Sequence, residues 1–105
     1  MTMIFRQWCG WSSLEKSDEY PAHFNMNVVP ELKNVEGFLG ADLITRQHEN
    51  EIQYMVISRW KSMEAIKAFA GNDPSQAVVE PQAVAALNHF DDTVTHYEVV
   101  SHVVV

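Results

Sequence analysis

A chain of 105 residues with 47% hydrophobic content is long enough for one domain with its own core, read here as residues 1–105. Fourteen acidic against seven basic side chains give a formal charge of -7, which repels nucleic-acid phosphates and anionic membrane surfaces, so neither is expected as a partner. Cys9 is alone and cannot form an intrachain disulfide, no leader-like segment opens the chain, and no apolar run nears the ~18 residues that cross a bilayer; a cytoplasmic protein is expected.

Met3 to Trp11 is rich in aromatic and β-favouring residues and stops at Ser12 and Ser13, which predicts a strand. Met3, Phe5 and Cys9 alternate with Ile4 and Trp8, so apolar groups stand on both faces, as in a strand covered on two sides. From Ser17 the period changes. Tyr20, Phe24, Val28 and Leu32 recur every four residues with Val35 three further on, an amphipathic helix that Ser17 or Asp18 can cap. Pro21 suits its first turn, whereas Pro30 removes an amide donor and strands the carbonyl of Met26, so a kink is expected before Gly37 ends the helix.

Phe38 to Gln47 and Glu51 to Arg59 are two further strand patterns, and His48, Glu49 and Asn50 between them have hairpin length, with Asn suited to φ > 0. In the second strand Ile52, Tyr54, Val56, Ser58 and Trp60 share a face opposite Met55 and Ile57. Ser62 can cap a short helix whose Met63, Ile66, Phe69 and Ala70 fall on one side, closed by Gly71. Asp73-Pro74-Ser75-Gln76 has the cap, proline and glutamine of a further helix start, which Pro81 splits or restarts, with Val84 and Leu87 on the buried side. After Asp91 and Asp92, Thr93 to Val105 is dominated by β-branched residues and reads as the last strand.

Strand, helix, hairpin, helices, strand is the β-α-β-β-α-β order of a ferredoxin-like α+β sandwich, whose helices cover one sheet face. The other face would expose a large apolar patch, so packing of two sheets in a homodimer is expected, with the apolar tail free to add to a neighbour's sheet.

Three blocks, "VVPELKNVEGFLGADLITR", "YMVISRWKSMEAIKAFAG" and "FDDTVTHYEVV", follow one another at the spacing of the antibiotic biosynthesis monooxygenase domain, a dimeric α/β barrel group that the chain resembles over essentially its full length. The resemblance implies a pocket between the sheet and its helices, lined by the first helix, the inner strand faces and the short helix after Trp60. In cofactor-free members a deprotonated phenolic substrate reduces oxygen directly, and the protein supplies an apolar cavity, a base and hydrogen-bond donors. Heme-degrading members carry an Asn on the first strand, a Trp on the short helix and an iron-ligating His beyond it. The matching places here are the Gln7 to Cys9 region, Phe69, and Val78 to Glu80, so heme oxygenation is disfavoured and no cofactor is expected.

The candidate residues follow. Tyr20, His23 and Asn27 share a helix face at spacings that bring polar tips toward the cleft, as substrate contacts. Trp60 is first a pin of helix to sheet, because large rings dominate cores on area alone, and second an aromatic wall for a ligand; Phe69, on the helix that follows, is counted with it. His96 and Glu98 project on one side of the last strand, where a carboxylate can orient an imidazole, and form the candidate catalytic base, although a polar stripe on an edge strand also accounts for them. The five histidines lack metal-ligand spacing, and no glycine-rich phosphate loop is present, so neither metal nor nucleotide is expected. The resulting expectation is a small homodimeric monooxygenase-like protein that oxidises an aromatic or quinol-type small molecule without a bound cofactor, or else a non-catalytic small-ligand-binding or interaction module of the same fold.

Overall fold

The structure, a computed structural model, describes residues 3–105. Strand β1 (Ile4–Ser13) lies inside an antiparallel sheet and pairs on one side with β3 (Glu51–Trp60), which in turn pairs with β2 (Phe38–His48). On its other side β1 carries β4 (His89–Phe90) and β5 (Thr95–Glu98), so the order β2-β3-β1-β4/β5 is that of a ferredoxin-like α+β fold with the last strand at an edge. Residues 91–94 stand opposite residues 8–9 of β1, an excursion longer than the ladder requires, and it is tied down by Asp91 N–H donating to the Cys9 carbonyl and Trp8 Nε1 donating to the Asp91 carbonyl.

The first helix does not simply kink. Its α1 (Glu19–His23) runs into a π segment (Phe24–Val28) and then α2 (Val29–Lys33), with Val29 N–H reaching back to the Phe24 carbonyl. Widening the turn ahead of Pro30, which cannot donate, lets the chain stay helical through the proline. Asp18 stands at the N-cap, but its side chain makes no capping bond. At the hairpin tip Glu49, rather than Asn50, takes the positive φ (55°), because the two-residue turn between His48 and Glu51 demands it there whichever side chain is present.

Ser62 caps α3 (Met63–Ala70) as its position predicts, its Oγ accepting from Ala65 N–H at 3.2 Å. No helix begins at Asp73. Its carboxylate instead accepts from Ser75 N–H and Ser75 Oγ in an Asx turn, and residues 75–77 run extended against residues 92–94, through the Gln76 and Thr93 bridge and the Ala77 and Val94 amides. The helix waits for Pro81 (α4, Pro81–Ala86). The final strand ends at Glu98: among the described residues the Val99 N–H bond to the Met3 carbonyl is the last pairing beyond it, and Val100 to Val105 are exposed.

Two buried clusters join the helices to one sheet face. Tyr20, Phe24, Tyr54, Ala83, Ala86 and Leu87 form one; Leu32, Trp60, Ala65 and Ile66 form the other. Trp60 has no exposed surface, meets Phe38 edge-on at 5.2 Å and Phe69 at 5.7 Å, and donates from Nε1 to Ser58 Oγ at 2.8 Å. At roughly 25 cal/mol per Å², a ring of about 200 Å² contributes at most ~5 kcal/mol, enough to anchor α3 to β3.

Candidate functional site

The cavity lies between the helices and the sheet. Its floor is Arg6 and Trp8 from β1 with Val56 and Ser58 from β3; its walls are Tyr20 and His23 from α1, Phe24 and Val28 from the π segment, Leu32 and Phe69; and Val78, Val79, Ala83 and Val94 close the far side. The strand alternation dictates the floor: even-numbered residues of both strands face the helices because Arg6 pairs with Ser58 and Trp8 with Val56. The cavity has a volume of about 60 Å³. The lining is mostly aromatic and aliphatic, so its few polar groups decide what enters.

Of those, Tyr20 is buried and its hydroxyl is held protonated, since burial and then the charge of Glu80 push its pKa up. It is therefore a hydrogen-bond donor throughout the physiological range. His23 is also buried, with Nδ1 3.0 Å from Asn27 Nδ2 and 3.1 Å from Gln82 Oε1. Asn27 Nδ2 can only donate, which makes Nδ1 an acceptor and puts the proton of the neutral ring on Nε2; with the Asn27 amide turned to present its oxygen, Nδ1 carries the proton, donates to Gln82 Oε1, and the Nε2 lone pair is free.

Arg6 is only 5% exposed, yet it is partnered with no carboxylate: Nη1 donates to the Pro74 carbonyl at 2.5 Å and to His96 Nε2 at 3.0 Å, and Nη2 donates to the Gln76 carbonyl at 3.0 Å. Burial brings its pKa down to about 10, so it remains a cation at neutral pH. His96 is held neutral, its pKa lowered by burial first and by the Arg6 charge second.

The sequence candidates thus fall in three places. Tyr20, His23 and Phe69 line the cavity; Asn27 stands behind His23 as its amide partner; Trp60 lies beneath, packed against Phe69 and absent from the lining. His96 and Glu98 do occupy one side of β5, opposite Arg6 and Ile4, but His96 is bonded to Arg6 and makes no bond to Glu98, which is exposed. With Nε2 accepting from a guanidinium, the neutral ring carries its proton on Nδ1 and has no lone pair left for a substrate proton. Arg6 is the residue that sequence reading passed over. The signal was present, since a charged side chain alternates with Ile4 and Trp8 on a strand face otherwise built for burial.

Among the described residues no group of three or more His, Cys, Asp or Glu comes together, and no helix is long and apolar enough to cross a membrane.

The sequence profile of the antibiotic biosynthesis monooxygenase family matches residues 14–81. No curated protein matches the chain by sequence. Among solved structures, a heme-degrading protein of Mycobacterium tuberculosis in its heme-free form superposes with a TM-score of 0.67 at 22% identity, over 97% of this chain and 96% of that one. A candidate antibiotic biosynthesis monooxygenase of Bacillus cereus gives 0.66 at 18% identity over 100% of both chains. A monooxygenase of Streptomyces coelicolor, solved with nanaomycin D, gives 0.61 at 14% identity over 99% of this chain and 90% of that one. At these identities the likeness establishes the fold alone. Val78 and Val79 line the far side of the cavity, where the resemblance to heme-degrading members calls for a ligating histidine.

Proposed function

The chain belongs to the antibiotic biosynthesis monooxygenase family, and on that premise we propose that it is a small homodimeric monooxygenase that oxidises a phenolic or quinol-type aromatic in the cavity between helices and sheet, without a bound cofactor. The observation that carries this reading is a mostly apolar cavity into which a protonated Tyr20 hydroxyl and a His23 imidazole bring polar tips. In this scheme His23 Nε2 takes the phenolic proton and Tyr20 donates a hydrogen bond to the resulting oxyanion. The electron-rich ring then reduces oxygen: a phenol with a free para C–H gives a quinone, one oxygen atom entering the ring and the other leaving as water, with all four electrons drawn from the substrate. Exclusion of water by Trp8, Phe24 and Phe69 protects the intermediates and strengthens both polar contacts.

The dimer is supported by what the helices leave uncovered. The outer sheet face carries Phe5, Ile44, Met55, Ile57 and Tyr97, of which Ile44 is 47% and Tyr97 54% exposed, and the valine-rich tail beyond it is exposed throughout. Two such faces packed together remove both patches from water.

Oxygen uptake with a panel of phenols and naphthohydroquinones tests the reading. Wild-type protein consumes oxygen faster than the uncatalysed solution and His23→Ala loses most of that excess, of the 10²–10⁴-fold size general-base catalysis supplies. Uptake unchanged in His23→Ala removes the base from the scheme.

A further inference from the structure

From the buried, uncompensated charge of Arg6 we infer that the cavity selects an anionic ligand, an aromatic ring bearing an oxyanion that the Arg6 guanidinium holds directly. The inference deepens the proposed function and rests on that same cavity being the ligand site.

Arginine inside a protein is ordinarily neutralised by a carboxylate or left reaching to solvent. Arg6 does neither. The ion pairs among the described residues join Arg59 to Asp42 and His89 to Glu51, and neither involves Arg6. Its acceptors are two backbone carbonyls, of Pro74 and Gln76, and a neutral imidazole, which orient the guanidinium but carry no charge to offset it. Those bonds occupy three of the five N–H groups of an arginine, leaving the one on Nε and one on Nη2. No side-chain nitrogen among the described residues is both buried and without a partner, and Arg6 is a lining residue of the cavity, so its free N–H groups are assigned to that space. Free N–H donors on a fixed guanidinium are suited to grip a carboxylate or phenolate oxygen.

The surrounding side chains sharpen this preference. Trp8, Val56 and Val94 share the lining with Arg6 and screen poorly, so an oxyanion there gains far more than in water, while the rest of the ligand must be apolar to match them. His96 is the positioning residue: it accepts from Nη1 and, kept neutral, does not compete for the anion. The chain's overall charge of -7 opposes anions in general. A single buried cation therefore acts as a filter, admitting an anion at one point while the remainder of the surface repels it.

Benzoate and benzamide, nearly equal in shape and different in charge, decide the matter when titrated into ¹⁵N-labelled wild-type protein and followed through the amide shifts of residues lining the cavity. Benzoate is expected to bind at least ten-fold more tightly, and Arg6→Met to abolish that preference while benzamide still binds. Equal affinities in the wild type overturn the inference and leave the cavity intact as a ligand site. Binding of neither overturns the cavity reading itself, and this one with it. Should Arg6→Met fail to fold, because the carbonyls of Pro74 and Gln76 lose their donor, the wild-type ratio still decides. A second readout is 4-nitrophenol, whose ionisation moves to lower pH on binding if Arg6 stabilises the phenolate; ionisation unmoved or shifted upward in the bound state counts against it.

Discussion

Tyr54→Phe is the substitution whose consequence can be worked most fully. The ring of Tyr54 has no exposed surface and packs 5.3 Å from Tyr20, and its hydroxyl lies 2.8 Å from Ser12 Oγ and 3.1 Å from the Ser17 carbonyl, to which it donates. That hydroxyl ties the turn before α1 to the sheet, and so sets where Tyr20 and His23 begin. Phenylalanine keeps the ring and removes both bonds. With the Tyr54 proton committed to the Ser17 carbonyl, Ser12 Oγ supplies the proton of the 2.8 Å bond, and in the variant it turns that proton to the Ser13 carbonyl at 3.0 Å, whereas the half-buried Ser17 carbonyl recovers part of its loss from water. With Ser12 re-satisfied at longer range and the Ser17 carbonyl partly wet, the loss is of two hydrogen bonds worth ~0.5–1.5 kcal/mol each net and partly recovered, and the expected cost is about 1.5 kcal/mol. Urea denaturation should show the midpoint lowered at unchanged slope, and heating a fall in Tm of about 6 °C or more. Ser12→Ala in the same background should couple with it by about 1 kcal/mol in a double-mutant cycle. A Tyr54→Phe protein as stable as wild type, or strictly additive with Ser12→Ala, would refute the assignment of this bond as a tether.

Three further outcomes follow from the geometry. Gly37 has φ +93° and a Cβ there would stand 2.7 Å from the Ala65 Cβ, so Gly37→Ala should cost about 2 kcal/mol or more by denaturation, through backbone strain and displacement of α3. Ser62→Ala, which removes the cap of α3, should cost about 1 kcal/mol, with Ser62→Asp recovering most of it. His96 has a folded-state pKa below its ordinary value of 6.5, so the unfolded chain binds the proton more readily: stability is complete above pH 6.5 and declines as pH falls below it, and His96→Gln should flatten that decline between pH 6.5 and 5. The depressed carboxyls of Glu51 and Asp73 act the same way but lower, below their ordinary values of 4.5 and 3.8, so the two effects separate along the pH axis.

Much of the architecture was legible because it rests on local signals. The alternation in β1 and β3, the four-residue period from Tyr20 to Leu32, and the Ser62 and Gly71 boundaries of α3 each reflect a few neighbouring residues. What went astray depended on partners distant in sequence. Asp73 to Gln76 has the letters of a helix start, but the Val94 amide and the Arg6 guanidinium recruit its carbonyls, and Ala77 N–H donates to the Asp92 carbonyl, which together hold it as an extended ribbon. Composition likewise extends the last strand to Val105, although among the described residues the pairing ends with Val99 N–H on the Met3 carbonyl and the tail from Val100 is exposed. At the site, the spacing of His96 and Glu98 puts both on one side of β5 correctly; the partner of His96, ninety residues away, is an arginine that no local pattern connects to it. Trp60 as the pin between β3 and α3 was readable from position, since a ring between a strand end and a cap has little else to touch.

Incubation of the protein under ¹⁸O₂ with a phenol that bears a free para C–H and that it turns over tests the central claim most directly. The account predicts one ¹⁸O atom in each product molecule and the other in water, with labelled product lost in His23→Ala. Product without label, oxygen recovered as hydrogen peroxide, or no turnover of any member of the panel would contradict it.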